Sequence, residues 1–342
     1  MKLKEIVEIC YGKNQKQVEV EKSDIPILGT GGIIGYSSKP LYDKESVLIG
    51  RKGTIGMPFY VNKPFWTIDT LFYTKINTNI IIPKYLYYLL CTIGLSRYSE
   101  GAAVPSLTTK TLYEIDLNVP NKDIQQHIVN TIGTIDDLIE NCQVKVSKII
   151  KLGDLFLTCN SYKEPICKYA NISLGGTPSR KHPEYWNGNI KWINSGAITG
   201  VPAILFESEL ITADGVKHSA TKPANKGDSV LSIIEPSKNK VALILDNDVY
   251  FNQSVICISP KNENDKGLMF FASRYLIDEI KGYATGAAQQ SLNKDMVEKA
   301  DISVPNLNVI EKLNDLVLEI LCIEEKIRKL KSIKSNLLSK YF

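Results

Sequence analysis

GAAVPSLTTKTLYEIDLNVPN, residues 101–121, returns 185 positions later as GAAQQSLNKDMVEKADISVPN, residues 286–306. Nine of the 21 aligned positions are identical: Gly101, Ala102, Ala103, Ser106, Leu107, Asp116, Val119, Pro120 and Asn121 each meet the same residue in the second copy. Solenoid units repeat every 20 to 50 residues or so, and this period is far longer, which points to duplication of a whole domain together with its connection. The chain reads as two copies of one plan: a domain over residues 1–120, a helical spacer over 121–160, a second domain over 161–306 and a second helical spacer over 307–342.

The spacers are legible from their period. After the first VPN the apolar residues are Ile128, Ile132, Ile135, Ile139, Cys142, Val146, Ile149 and Phe156, a 4-3-4-3 alternation with Gly153 in the remaining seam position. After the second they are Val309, Leu313, Leu316, Ile320, Ile323, Ile327, Leu330, Leu337 and Tyr341, with Lys334 the polar intruder. Heptad seams of this kind bury best against each other, and an intervening domain returns the chain for antiparallel pairing. Roughly 33 to 35 residues at about 1.5 Å each make a rod of about 50 Å. Gly133 and Gly153 each weaken the first helix locally by about 1 kcal/mol relative to alanine, which leaves room for a kink or early end there.

The two domains read as α+β. VLIGRKGTIGMPFYV (residues 47–61) and WTIDTLFYT (66–74) in the first copy, and residues 229–259 in the second, alternate β-branched and aromatic runs with turn residues. PKYLYYLLCTIG and KGLMFFASRYLI read as equivalent helices, the first opened by Pro83.

Composition bounds the chemistry. In 342 residues there is room for two domains with cores of their own, 44% are hydrophobic and 23% charged, and no apolar run approaches the roughly 18 residues of a membrane span. MKLKEIVEIC is interrupted by charge where a signal peptide needs an apolar core, which places the expected location in the cytoplasm. Seven scattered cysteines, without metal-ligand spacing, read as buried reduced thiols. Net charge is +4, with +3 on residues 1–120, −1 on 121–160, 0 on 161–306 and +2 on 307–342, a balance that permits nucleic-acid binding without requiring it.

Catalytic patterns are missing. GTGGIIG (residues 29–35) misses the dinucleotide spacing and precedes no helix, so its glycines read as backbone turns. His127, His182 and His218 lie in unrelated contexts, and Asp136 and Asp137, adjacent on a helix, point different ways and read as a solvated face. There is no methyltransferase, Walker or nuclease motif, and no cofactor or metal is expected. What remains is basic loop material. Arg51, Lys52 and Thr54 lie on a glycine-framed turn with Lys63 in the next. In the second domain the candidates are Ser179, Arg180, Lys181, Lys217, Lys222, Lys238 and Lys240, with Gln289 and Gln290 at the repeated junction. Arginine reads guanine edges, lysine neutralises phosphate and glutamine pairs with adenine, so the set suits DNA. Trp186 and Trp192 read as core.

With GGTPSRKHPEYWNGNIKWINSGAI (residues 175–198), VLIGRKGTIG (47–56), the paired GAAxxSL junctions and VPN, and Pro120 leading to Gln125 or Gln126, the chain resembles the specificity (S) subunit of Type I restriction-modification systems along its whole length. It departs from the pattern in two places: the first domain lacks a GGTPS opening, and NLNVIEKL carries no glutamine. The resemblance implies two target-recognition domains of similar fold, separated by two long helices in an antiparallel coiled coil with pseudo-two-fold symmetry. Each domain would bind half of a split double-stranded DNA target, with the half-sites about one helical turn (34 Å) apart. The helices would help dock two methyltransferase (M) subunits, two restriction (R) subunits would complete the nuclease, and S-adenosylmethionine and ATP would belong to those partners. The reading left open beside it is a coiled-coil scaffold whose domains bind protein and touch no DNA.

Overall fold

The computed structural model describes the chain apart from residues 53–54, 101–104, 159–160, 199 and 282–291. Thr54, Gln289, Gln290, Cys159 and the repeated GAA triplets therefore lie outside the described residues. Seven α-helices occur among those described: α1 (Pro83–Thr92), α2 (Thr109–Tyr113), α3 (Lys122–Thr158), α4 (Ala213–Lys217), α5 (Lys266–Lys281), α6 (Lys294–Glu298) and α7 (Leu307–Tyr341). None among the described residues is long and apolar enough to cross a membrane. The chain forms two compact units, one of Met1–Asp137 with Ser332–Phe342, the other Leu138–Lys331. Both long helices thus contribute to both units.

The first unit is built on the sheet Val7–Tyr11, Leu71–Ile76, Ser46–Gly50, Phe59–Val61, in that spatial order and antiparallel throughout. A second sheet holds the hairpin Pro26–Gly29/Gly32–Ser37, with Gly32 at φ 111° supplying its turn, and Trp66–Thr67 parallel to the first hairpin strand. The reading of all four GTGGIIG glycines as turn residues holds only at the hairpin tip, where Gly31 lies in the turn and Gly32 takes positive φ; Gly29 and Gly35 lie within the paired strands. Pro83 occupies the first turn of α1. The core gathers Leu3, Ile6, Val47, Ile49, Phe72, Tyr85, Leu86 and Leu89 with Ile128 and Ile132 of α3, and Leu337, Leu338, Tyr341 and Phe342 pack on it.

The second unit repeats the plan. Its sheet runs Ala170–Leu174, Val255–Pro260, Ser229–Ser232, Val241–Ile244, and adds Ala203–Ile204 parallel to the last. The companion sheet pairs Trp186–Ile193 with Glu209–Ile211 antiparallel and with Val249–Phe251 parallel.

The repeated junction now has a physical meaning. Thr108 caps α2 through the Thr111 N–H (3.2 Å), and Asn293 caps α6 through the Met296 N–H (2.9 Å). Asn121 and Asn306, the last residues of the two VPN triplets, accept from the Ile124 and Val309 N–H groups at 3.0 and 3.1 Å. A side-chain oxygen satisfying one of the four orphan N–H groups of a helix start contributes about 1 kcal/mol. Leu107 and Leu292 are buried beneath these turns. The duplication preserves caps and the leucine that seats them.

Gln125 is fully buried. Its amide accepts from the Ile82 N–H at 2.8 Å and donates to the carbonyls of Ile80 and Pro120 at 3.1 and 2.8 Å, tying the start of α3 to its domain. The equivalent position of the second copy is Ile310, also buried, so apolar contact replaces the polar clasp there.

Every seam position is buried or half-buried. Ile128, Ile132, Ile139, Val146, Ile149, Ile320, Ile323 and Ile327 are buried, and Ile135, Leu316, Leu330 and Leu337 are half-buried. In the first unit His127 meets Tyr341 and Asp136 meets Lys334. In the second, Lys145 meets Glu319 and Phe156 meets Lys312. Within each unit the numbers fall on one helix as they rise on the other, so the pairing is antiparallel.

Three sequence expectations need correction. Helix α3 runs on through both Gly133 and Gly153 without ending at either, and Gly153 is where Phe271 of α5 packs against it. Asp136 does not belong to a solvated face: it accepts from the Tyr88 hydroxyl (2.7 Å) and from Lys334 (2.5 Å), whose ammonium lies 5.5 Å from the Tyr88 ring centre. Among the described cysteines only Cys257 is buried, while Cys167 and Cys322 are exposed.

Candidate nucleic-acid interface

At one end of the first sheet three segments converge. Tyr11 pairs with Phe72 and Gly50 with Leu71, so the loop after Tyr11, the turn Ile68–Thr70 and the joint Arg51–Lys52 emerge side by side. Gly12 opens that loop because nothing larger fits: a Cβ there would lie 2.0 Å from the Ile68 carbonyl oxygen. Arg51 donates its N–H to the Thr70 carbonyl (2.8 Å), and its own carbonyl accepts from the Leu107 N–H (3.0 Å). Its guanidinium lies 5.3 Å from the centre of the Tyr11 ring and reaches the Asp69 carbonyl at 3.3 Å. Lys52 beside it is exposed.

The second unit builds the same end. Gly175 presses on Phe251, where a Cβ would lie 2.1 Å from the carbonyl oxygen, and Gly176 presses on Ala220. The indole N–H of Trp192 donates to the Gly176 carbonyl (3.2 Å) and that of Trp186 to the Ser179 carbonyl (3.4 Å). Both tryptophans are buried, as read from the sequence, and their hydrogen bonds hold the GGTPSRK loop in one shape. In the first unit the Trp66 indole donates to the Lys13 carbonyl at 2.9 Å, from the neighbouring strand of the equivalent sheet. The GGTPS opening called missing from the first domain therefore has a counterpart, the loop Gly12-Lys13-Asn14-Gln15-Lys16. Sequence reasoning missed Lys13 and Lys16 because a single glycine is all that the motif leaves there.

The candidate residues fall into distinct settings. Arg180 is occupied: its fork bonds both Glu209 oxygens at 2.7 and 2.5 Å, and its guanidinium lies 3.4 Å from the Trp186 ring centre. The guanidinium in turn holds the Glu209 carboxyl below the usual carboxylate range, with burial opposing. Reading a guanine with Arg180 thus requires releasing Glu209. Ser179 and Lys181 are exposed on the same loop, and the Ser179 hydroxyl accepts from the Lys181 N–H. Lys217 ends α4, which packs on the turn Pro183–Tyr185, and Lys222 faces Phe251 across the sheet, next to the turn Asn252–Ser254.

Two histidines come together in a way their spacing hides: His182 and His218 stack on Tyr185, with ring centres at 4.9 and 5.6 Å. Lys240 is half-buried and donates to the Ile234 carbonyl at 3.0 Å, while Lys238 lies 3.9 Å from the centre of the Tyr275 ring. These two brace the domain. Lys63 follows Val61, which pairs with Ser46, so it lies at the opposite end of the Ser46–Gly50 strand from Arg51. Among the described residues the ammonium groups of Lys52, Lys63, Lys181, Lys217 and Lys222 have no ion-pair partner.

Solvated cations on loops fixed by glycine contacts and indole hydrogen bonds can neutralise phosphates without first breaking internal pairs. Among the described residues no group of three or more His, Cys, Asp or Glu could hold a metal.

The comparisons with known proteins agree with this geometry. The chain is similar to the Type I restriction enzyme MjaIX specificity subunit of Methanocaldococcus jannaschii, 24% identical over 335 residues that cover 88% of this chain and 77% of that one. It is 28% identical over 125 residues to the EcoprrI specificity subunit of Escherichia coli, which covers 36% of this chain and 31% of that one. The crystal structure of a Type I restriction-modification S subunit from M. genitalium shares the fold over 100% of this chain and 95% of that one, with a TM-score of 0.57 at 15% identity. The Type I restriction modification DNA specificity domain matches residues 1–151 and again 166–331. With two copies of that domain covering most of its length, the chain belongs to the family of Type I restriction modification DNA specificity proteins.

Proposed function

We propose that the chain is the non-catalytic specificity subunit of a Type I restriction-modification complex and reads a two-part duplex DNA target, one part with each of its domains. Residues 1–120 and 161–306 are the reading heads. The helical segments 121–160 and 307–342 dock two methyltransferase subunits and, through the assembled complex, two restriction subunits. The observation that carries the reading is the duplicated loop cluster: the same sheet end appears twice, fixed by the same close glycine contacts and edged with solvated lysines. Two heads of one fold with different loop residues suit a target with two unlike halves.

The test is a charge reversal in the complex with the methyltransferase subunit. Arg51→Glu with Lys52→Glu in the first head, or Lys181→Glu with Lys217→Glu in the second, is expected to weaken DNA binding roughly ten- to hundred-fold and to reduce the salt slope by about 1 to 2. Arg180 is left alone because its reversal would set two carboxylates against each other. Affinity and slope unchanged in both pairs would remove these loops from the interface. A protein-binding scaffold without DNA contact would show that same silence.

A further inference from the structure

The joint that follows the inner strand of each main sheet is the same backbone in both units and carries opposite chemistry. In the first unit the Arg51 N–H donates to the Thr70 carbonyl (2.8 Å) and the Arg51 carbonyl accepts from the Leu107 N–H (3.0 Å). In the second the Ile233 N–H donates to the Ser254 carbonyl (3.0 Å) and the Ile233 carbonyl accepts from the Leu292 N–H (3.1 Å). Sheet register gives the same equivalence, since Gly50 pairs with Leu71 and Ser232 with Val255. Arg51 therefore corresponds to Ile233 and Lys52 to Ile234. The sequence alignment that detects the junction repeat does not reveal this, because the two stretches share no side-chain chemistry.

Ile234 is exposed to 49%, a large apolar group on a loop tip with no core to fill. The loop is nevertheless held tightly. Besides the two bonds of Ile233, the Ile234 N–H donates to the Ser232 hydroxyl (3.3 Å) and its carbonyl accepts from Lys240 (3.0 Å). The next residue, Glu235, sits in the left-handed region at φ 45° although it is not glycine; its side chain is 86% exposed and its carboxylate meets the Lys240 ammonium at 3.5 Å, a long solvent-exposed contact that a base edge can displace. A pinned tip with a left-handed non-glycine residue, holding an isoleucine and a carboxylate out to solvent, has the build of a recognition element. The two chemistries sort by base edge. Arginine and lysine fit the two acceptors of guanine, an aliphatic side chain fits the thymine methyl, and a carboxylate accepts from the cytosine amino group.

We propose that this joint is a specificity-determining position in both heads, with Arg51 and Lys52 selecting guanine in one half-site, and Ile234 and Glu235 selecting a pyrimidine in the other. The inference rests on the DNA-reading function proposed above and adds to it which residues make the two halves differ.

The experiment is selection from a random duplex library by the full chain in complex with the methyltransferase subunit. Ile234→Lys with Glu235→Gly places a lysine–glycine pair at this joint, the pair found at residues 52–53, and the glycine relieves the left-handed strain. A milder variant, Ile234→Ala with Glu235→Ala, removes both contacts. The expected result is a change at one base step of one half-site: towards guanine in the first variant and towards indifference in the second, with discrimination altered roughly ten- to hundred-fold. The other half-site and the gap stay as they were. Folded variants that select the original target at full strength overturn the proposal, and so do folded variants that lose binding to every sequence equally, since the joint would then supply affinity and not choice. A wild-type complex that selects no sequence at all overturns the parent reading instead, whatever the variants do.

Discussion

Gly153→Ala destabilises the protein by roughly 2 kcal/mol, against the expectation from helix propensity that it should stabilise by about 1 kcal/mol. Gly153 is buried in α3, and a Cβ there would lie 2.1 Å from the ring of Phe271, itself fully buried on α5 and in edge contact with Phe270. A ring held on every side cannot turn away, so the added methyl must push the helices apart, and overpacking of this kind costs about 1 to 3 kcal/mol. The measurement is chemical denaturation of the single variant, of Phe271→Leu and of the double variant. In the leucine background the alanine should cost far less, giving a coupling of about 1 kcal/mol or more. A single variant that melts higher than wild type would show that the gap is larger than the geometry states.

The second large effect concerns Glu324. This residue lies on the seam side of α7, is 4% exposed, and lines a cavity of about 550 Å³ with Val146, Ile150, Ile327 and Lys331. It has no hydrogen-bond partner among the described residues, and burial pushes its carboxyl up to about 7, with the charge of Lys331 only partly opposing. In the unfolded chain the group titrates in the ordinary range near 4.5. Between those two values the folded state binds the proton more tightly, so stability is greatest below pH 4.5 and is lost progressively as pH rises towards 7. The whole window corresponds to about 3 kcal/mol at most, at about 1.4 kcal/mol per pH unit. Glu324→Gln preserves shape and cannot ionise. It should match wild type near pH 4.5 and exceed it by about 2 to 3 kcal/mol at pH 8. A difference that does not vary with pH would mean that the carboxyl is solvated in the folded protein.

The two effects also show where sequence reading succeeds. The seam was legible because a 3.5-residue period has one physical cause, and each position it named from Ile128 to Tyr341 is at least half-buried. Gly153 was legible as a weak point of an isolated helix and illegible as a packing contact, since Phe271 lies 118 residues away in the chain. Lys334 stood out as the single polar residue in its seam, but its partners Asp136 and Tyr88 could not be named from spacing.

The candidate site divides in the same way. That the loops around Arg51 and after Gly175 carry cations was plain from composition. That Arg180 is already engaged by Glu209, and that Lys63 stands at the far end of its strand from Arg51, depends on sheet register. The equivalence of Gly12 with Gly175 was hidden because both are selected by the approach of a carbonyl, a constraint that conserves one missing side chain and nothing around it.

The sequence alone determined the duplication, the α+β character of each copy and the two apolar seams, because caps, heptads and strand alternation are local regularities that each turn of backbone must satisfy for itself. Only the tertiary structure decided which cations remain solvated, that Ile234 stands where the other head has Lys52, and that Glu324 is buried without a hydrogen-bond partner among the described residues. Each of those depends on distances between residues far apart in the chain, and no local periodicity records them.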